Sequence, residues 1–161
     1  MIQDFSNWLA GTWLSQLFAN TSWFVPTVQT VHILCIGVVV TSLGMLDFRL
    51  LHLTRRGPPV ETLAVKSVPW VWLALVVLLI TGILLIITEP NRELLNNAFR
   101  LKMLLVALLV VLTLVMQKAS ARKPEYWSSS LATRRLGRML GVGSLVLCVG
   151  IVAAGRLIAY L

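Results

Sequence analysis

Four long runs of apolar residues, each closed by charged or turn-forming positions, organise the chain. They extend from about Pro26 to Leu51, Val68 to Thr88, Ala98 to Gln117 and Met139 to Tyr160. Each is near the ~20 residues that a helix needs to cross a hydrocarbon core of ~30 Å. A backbone in lipid must satisfy its own hydrogen bonds, and runs this long and unbroken do so as helices rather than as barrel strands. The expected fold is therefore all-α, a polytopic membrane protein whose residues 23–161 form a four-transmembrane-helix bundle. Residues 1–22 carry a different pattern. Phe5, Trp8, Leu9, Thr12, Trp13 and Leu17 recur at helical spacing, opposite Asp4, Asn7, Gly11 and Ser15. With no basic leader and with spaced rather than continuous apolar positions, this segment reads as an amphipathic interfacial helix and not as a signal peptide. Its apolar face either lies at headgroup depth or packs on the outer end of the bundle. Asn20, Thr21 and Ser22 end it, Trp23 and Phe24 mark the membrane boundary, and Pro26 falls in a first helical turn, where its missing donor does no harm. Gly57, Pro58 and Pro59 close the first connection, Glu89, Pro90 and Asn91 open the second, and residues 124–130 make the third.

Composition narrows the solvent to a bilayer. Hydrophobic residues make up 58% of the 161, charged residues only 12%, and the mean hydropathy is +0.87. A soluble domain of this size would be left with a very large exposed apolar surface. The net charge of +8 raises the question of nucleic acid. The cations, however, sit at the ends of the apolar runs, where they act as topology signals and not as a binding stripe, so nucleic acid is excluded as a partner. Arg49, Arg55, Arg56 and Lys66 flank the first connection, and Lys118, Arg122, Lys123, Arg134, Arg135 and Arg138 flank the third. Both are expected on the cytoplasmic side. In a bacterium this gives an inner (cytoplasmic) membrane protein with both termini periplasmic. Cys35 and Cys148 each lie inside an apolar run and read as buried structural thiols. Small residues at Gly37, Thr41 and Gly44, and at Gly137, Gly141, Ser144 and Cys148, form stripes that predict contact between the first and fourth spans. The third span is almost entirely Leu, Val, Met and Ala and is expected to face lipid over much of its surface.

Candidate chemistry comes from the ionisable residues that the membrane resists. Only 15 residues separate Lys102 from Lys118, about 22 Å of helix, so Lys102 lies within or at the edge of the hydrocarbon. The 17 residues between Arg138 and Arg156 draw Arg156 inward in the same way. His32 stands about 9 Å past Pro26 along its helix. These three groups converge on one periplasmic-side level, with Gln29 one turn from His32 and with Thr88 and Glu89 at the end of the second span. A shared level of this kind points to a functional site. The alternative is that Lys102 and Arg156 extend to the interface separately, while His32 is a neutral imidazole hydrogen-bonded to Gln29, a hydroxyl or a carbonyl of a neighbouring helix.

Two cations and an imidazole beneath a tryptophan-rich interface suit a ligand with an anionic or polar head and an apolar remainder. Haem b fits with propionates near Lys102 and Arg156 and iron at His32, but His52 lies at the opposite end of the helix and only Met103 is at the level of a second axial ligand. A quinone headgroup needs only hydrogen bonds from His32, Gln29 or Lys102. Copper at His32 and Cys35 is a weaker third possibility. No nucleophile and base, phosphate loop or carboxylate pair is visible, so a catalytic site is not expected. Asp47 and Arg49 end the first span. Asp47 is expected to pair with Arg49, Arg55 or an arginine of the third connection, the rival being a proton path to His32 about 22 Å away.

The run Trp23, Pro26, Thr27, Gln29 and His32, followed by Gly44, Asp47, Arg49 and Leu50, resembles the first span of an uncharacterised family of bacterial four-helix inner-membrane proteins. Glu89-Pro90, Asn97, Phe99, Lys102 and the closing Gly155-Arg156-Leu157-Ile158-Ala159-Tyr160 are similar to the rest of that pattern. The resemblance implies four spans and no established activity. In architecture the bundle is also loosely similar to copper-resistance-type membrane proteins and membrane cytochromes b, without the paired histidines of the latter. Two function classes follow. One is a redox-associated or electron-transfer subunit with a haem or quinone around His32. The other is a non-catalytic anchor or assembly subunit whose polar cluster binds lipid headgroups, a membrane or periplasmic partner protein, or a second copy of the chain.

Overall fold

The structure, a computed structural model, describes residues 2–51, 60–122 and 130–158. The expectations for His52, Arg55, Arg56, the Gly57-Pro58-Pro59 turn, Lys123, residues 124–129 and residues 159–160 lie outside the described residues. Those residues form seven helices and no strand: α1 (Ile2–Ala10), α2 (Trp13–Asn20), α3 (Phe24–Leu50), α4 (Val60–Thr88), α5 (Pro90–Leu94), α6 (Asn97–Arg122) and α7 (Leu131–Ile158). Four of them, α3, α4, α6 and α7, are long and apolar enough to cross a membrane. The protein is an all-α, multi-pass membrane protein.

The long helices outrun the apolar stretches that announce them. Helix α4 begins well upstream of Val68 and carries Pro69 inside it. Helix α7 begins eight residues before Met139, at a reciprocal cap. The Thr133 backbone N–H donates to Ser130 Oγ at 3.2 Å, and the Ser130 N–H donates to Thr133 Oγ1 at 3.1 Å. Each residue satisfies a donor that the first helical turn leaves open. Arg134, Arg135 and Arg138 are thereby helical residues rather than loop residues.

The amino-terminal segment is two helices, not one. Gly11 is a poor helix former, and Thr12 then starts α2. The Thr12 hydroxyl donates to the Leu9 carbonyl at 2.7 Å and accepts from the Ser15 N–H at 3.4 Å, so one side chain serves the end of α1 and the start of α2. The buried positions of these helices are Ser6 and Ser15. Trp8 is 65% and Trp13 73% exposed, with Phe5 and Leu17 also open. Of the two placements considered for the apolar face, packing on the bundle is not adopted, because the small polar side turns inward. The Ser6 hydroxyl donates to the Asn91 side-chain oxygen, fixing α1 on α5. Stacking of Phe18 on Phe24, 4.2 Å between ring centroids, joins α2 to α3.

In the bundle α3 packs along α4 and α7, α6 packs along α7, and α4 meets α6 through a narrower contact. The expected contact between the first and fourth spans is present, but only part of each small-residue stripe makes it. A Cβ on Gly141 would lie 3.5 Å from the Asp47 carbonyl oxygen, whereas one on Gly37 would meet nothing within 4 Å. The core centres on Val39, Leu43, Leu46, Val71, Ala74, Leu109, Cys148 and Ile151. Helix α6 leaves Leu104, Leu108, Val111 and Val115 exposed, the open surface expected of a lipid-facing span.

Candidate functional site

His32 sits on the face of α3 that packs against α4, half-buried. Gly82 of α4 stands beside the ring, with a virtual Cβ 3.8 Å from His32 Cε1, ordinary contact for a methyl group. One helical position earlier, Thr81 approaches the ring, with Oγ1 2.7 Å from His32 Nδ1. The same Oγ1 lies 2.7 Å from the Val77 carbonyl oxygen, which only accepts. The single hydroxyl proton goes to that carbonyl, as is usual for a helical threonine, so the Nδ1–H donates to Thr81 and the lone pair is on Nε2. The partner of His32 is therefore a hydroxyl on a neighbouring helix rather than Gln29, which is exposed on the first span.

Lys102 comes to the same layer from α6. It is half-buried and runs over Gly155 of α7, where a Cβ would stand 3.9 Å from both its Cε and its Nζ. Its charge acts on His32 from one side and on Glu93 of α5 from the other. Glu93 lies outside the spans. Burial pushes its carboxyl above the ordinary value of 4.5, opposed by the positive charges of Lys102 and Arg92 and reinforced by Glu89. Arg92 is engaged with Glu89 at 2.7 Å in a pair that is about half exposed on both sides, where water screens much of the attraction. Thr88, buried at the end of α4, donates to the Leu84 carbonyl at 2.8 Å. Arg156 follows Gly155, but its side chain is exposed.

Thr81 thus holds His32 at the α3–α4 contact, Lys102 lies over Gly155 within electrostatic range of His32 and Glu93, and Gln29 and Arg156 are exposed. Sequence alone does not assign three of these residues, Thr81, Gly155 and Glu93, to the cluster. The pair Thr81-Gly82 signals the first, a hydroxyl beside a gap wide enough for a ring. For Glu93 the signal is Pro90, which starts a short helix after Glu89 and turns the acid back toward the bundle.

The donor set can be tested against the ligands considered for it. Haem bound by His32 would want a second axial ligand, but Met103, the candidate at that level, is 47% exposed. Copper fits no better, for among the described residues no three His, Cys, Asp or Glu come together to hold a metal ion. Cys35 packs against the apolar core instead. A polar headgroup that accepts from an ammonium and donates to an imidazole nitrogen is compatible with what is present.

No curated protein and no solved structure matches the chain. A family model does match, over residues 5–161. That match takes in α2 to α7, most of α1 and the whole layer around His32, and the chain belongs to DUF6644, a family of unknown function.

Proposed function

We propose that this protein is a redox-associated membrane subunit that binds a quinone headgroup between His32 and Lys102. The observation that carries the reading is the Nδ1–H of His32 held by Thr81 at 2.7 Å. It fixes the ring and leaves Nε2 as an acceptor for a quinol hydroxyl, in the layer where the Lys102 ammonium donates to the other oxygen. Two-electron oxidation of the quinol then releases two protons, one to Nε2 and one from the hydroxyl beside Lys102 to interfacial water, while both electrons leave to a redox-active partner protein. The placement of the site follows the positive-inside rule. The ends of α3 and α6 and the starts of α4 and α7 carry the Arg and Lys residues of the first and third connections, so that end is cytoplasmic. The His32 layer and both termini are then periplasmic in a bacterial inner membrane, with the exposed tryptophans of α1 and α2 at headgroup depth.

The test is lipid extraction from the purified chain with quantification of quinone by mass spectrometry. Near-stoichiometric quinone is expected in the wild type, reduced at least fivefold in His32→Ala. Quinone no richer than in the bulk lipid of the same micelles would reject the reading. A reduced-minus-oxidised visible spectrum of the same sample separates haem from quinone, since a haem band abolished by His32→Ala would put iron at Nε2 instead.

A second reading, a non-catalytic anchor or assembly subunit, is favoured by the outward aromatic face of α1 and α2. In that case Lys102 is a counter-charge to Glu93, the exposed face meets lipid headgroups or a partner, and His32→Ala changes neither bound quinone nor colour.

A further inference from the structure

At the other end of the bundle a second polar group is closed in by apolar packing. Asp47 of α3 and Ser144 of α7 are both 0% exposed. Both Asp47 carboxylate oxygens and the Ser144 hydroxyl are buried without a hydrogen-bond partner. Gly141 brings them together. It lies one turn before Ser144 on the same face of α7, and a Cβ there would stand 3.5 Å from the Asp47 carbonyl oxygen and 3.6 Å from its Cα. The Ser144 hydroxyl faces the carboxyl without closing a hydrogen bond to it. Cys148, one turn further along α7, is within reach of the Asp47 charge.

The cations at this end do not resolve the carboxylate. Arg49 on α3 itself, Lys66 on α4, Lys118 on α6 and Arg138 on α7 all leave both oxygens without a hydrogen bond. Of the partners expected for Asp47 from sequence, Arg49 and Arg138 make no hydrogen bond to it, because Asp47 turns into the α3–α7 crossing, and Arg55 lies outside the described residues. Thr113 of α6, also buried, has its hydroxyl committed to the Leu109 carbonyl at 2.8 Å. An ionised carboxylate buried with no hydrogen-bonded counter-charge among the described residues is strongly unfavourable inside a membrane bundle. Three oxygens from two helices, with one hydroxyl proton among them, want a positive guest. One carboxylate balances one positive charge, and hard oxygens suit a hard cation.

We propose that Asp47 and Ser144 form an intramembrane binding site for a monovalent cation, either sodium or a proton. Sodium takes lone pairs from all three oxygens. A proton sits on the carboxyl and donates to Ser144 Oγ. Both neutralise the same charge, and the site is independent of the quinone reading at the far end of the helix.

Carbodiimide labelling of the full chain in detergent tests it, because dicyclohexylcarbodiimide modifies a protonated carboxyl in an apolar setting and a bound metal ion blocks the reaction. Peptide mapping is expected to place an adduct on Asp47 that is absent from Asp47→Asn. If sodium is the guest, replacing KCl by NaCl at constant pH slows labelling at least tenfold. If the guest is a proton, sodium has no effect and raising the pH slows labelling by the same factor. Absence of an Asp47 adduct at every pH and salt, or a rate indifferent to both, overturns the proposal. Thermal unfolding followed by tryptophan fluorescence gives a second readout. The wild-type midpoint should rise with the cation that protects Asp47 from labelling, or with falling pH in the proton case, and the Asp47→Asn midpoint should not. An equal dependence in both proteins also overturns the proposal.

Discussion

The Thr81 hydroxyl gives its one proton to the Val77 carbonyl 2.7 Å away, so whatever His32 does at Nδ1 is decided by a residue on another helix. Thr81→Val keeps the shape and removes the acceptor. A buried N–H left without a partner costs about 1–3 kcal/mol, and the ring is then free to turn Nδ1 elsewhere. Quinone retained by Thr81→Val should fall about fivefold or more, while Thr81→Ser, which keeps the hydroxyl, should stay near wild type. Extraction and mass spectrometry of the two variants check this. Glu93 supports a prediction in pH. Its carboxyl is raised above 4.5, first by burial, so the folded chain binds this proton more tightly than the unfolded chain. The contribution is fully favourable below the ordinary carboxyl value and is lost as pH rises through the higher folded value. Glu93→Gln should therefore flatten the fall in unfolding midpoint just above pH 4.5, measured by tryptophan fluorescence against pH. At this scale the sequence was a partial guide. It marked Lys102 through span length, because only 15 residues separate it from Lys118, and His32 through its place about 9 Å past Pro26 along the helix. It did not disclose Thr81 or Glu93, since the rotation of α4 and the return of α5 depend on packing that no local pattern records. Nor did it disclose that Asp47 turns away from Arg49, for both are compatible with the same helix end until α7 is in place.

Gly141 does for the α3–α7 pair what Gly82 does for α3 and α4: it removes a side chain where a neighbouring helix must come close. Its virtual Cβ stands 3.5–3.6 Å from Asp47 and Leu50 atoms, ordinary contact for a methyl group and no room for more. Gly141→Ala should be near neutral, but Gly141→Leu overpacks the crossing and should cost about 1–3 kcal/mol, seen as a lower unfolding midpoint in detergent. Gly37, on the facing stripe predicted for the first span, has nothing within 4 Å of its virtual Cβ, so Gly37→Leu should leave the midpoint unchanged. The contrast shows how far a small-residue stripe can be read. Spacing identifies a face on which helices are able to approach, while the crossing angle selects which of its residues touch. Element ends were harder to read than element cores. The apolar stretches located α3, α4, α6 and α7, but α7 starts at the Ser130–Thr133 cap in a stretch too basic to look like membrane helix. The split of the first segment followed the same logic, with Gly11 and Thr12 forming a stop and a start inside one amphipathic period. Trp70 and Trp72, two positions apart on α4, have different surroundings. Trp70 is exposed, and Trp72 Nε1 donates to Gln117 Oε1 at 3.1 Å.

Four contacts each join the early part of one long helix to the late part of another. His32 meets Gly82 and Lys102 meets Gly155 at one end, whereas Asp47 meets Gly141 and Trp72 meets Gln117 at the other. The four helices therefore alternate in direction, and both polar groups have a defined side. The end holding Asp47 carries Arg49, Lys66, Lys118, Arg134, Arg135 and Arg138, while Arg92, Arg100, Lys102 and Arg156 lie toward the other, close to Glu89 and Glu93. Under the positive-inside rule, through the cost of translocating cations next to a span, this asymmetry would put the Asp47 end in the cytoplasm, as proposed above. A cysteine at Asn97, with Cys35 and Cys148 replaced by alanine, should react with a membrane-impermeant maleimide added outside spheroplasts. One at Ser130 should react only after the membrane is broken. The reverse pattern would place the His32 layer on the cytoplasmic side and turn a periplasmic electron partner into a cytoplasmic one, with the helix packing unchanged. Neutralising Arg134, Arg135 and Arg138 together lowers the charge difference without touching the core, since all three side chains are exposed. If the basic ends set direction, that triple variant should show mixed labelling at Asn97→Cys; if the amino-terminal helices set it by anchoring in the outer interface, labelling should stay at one side.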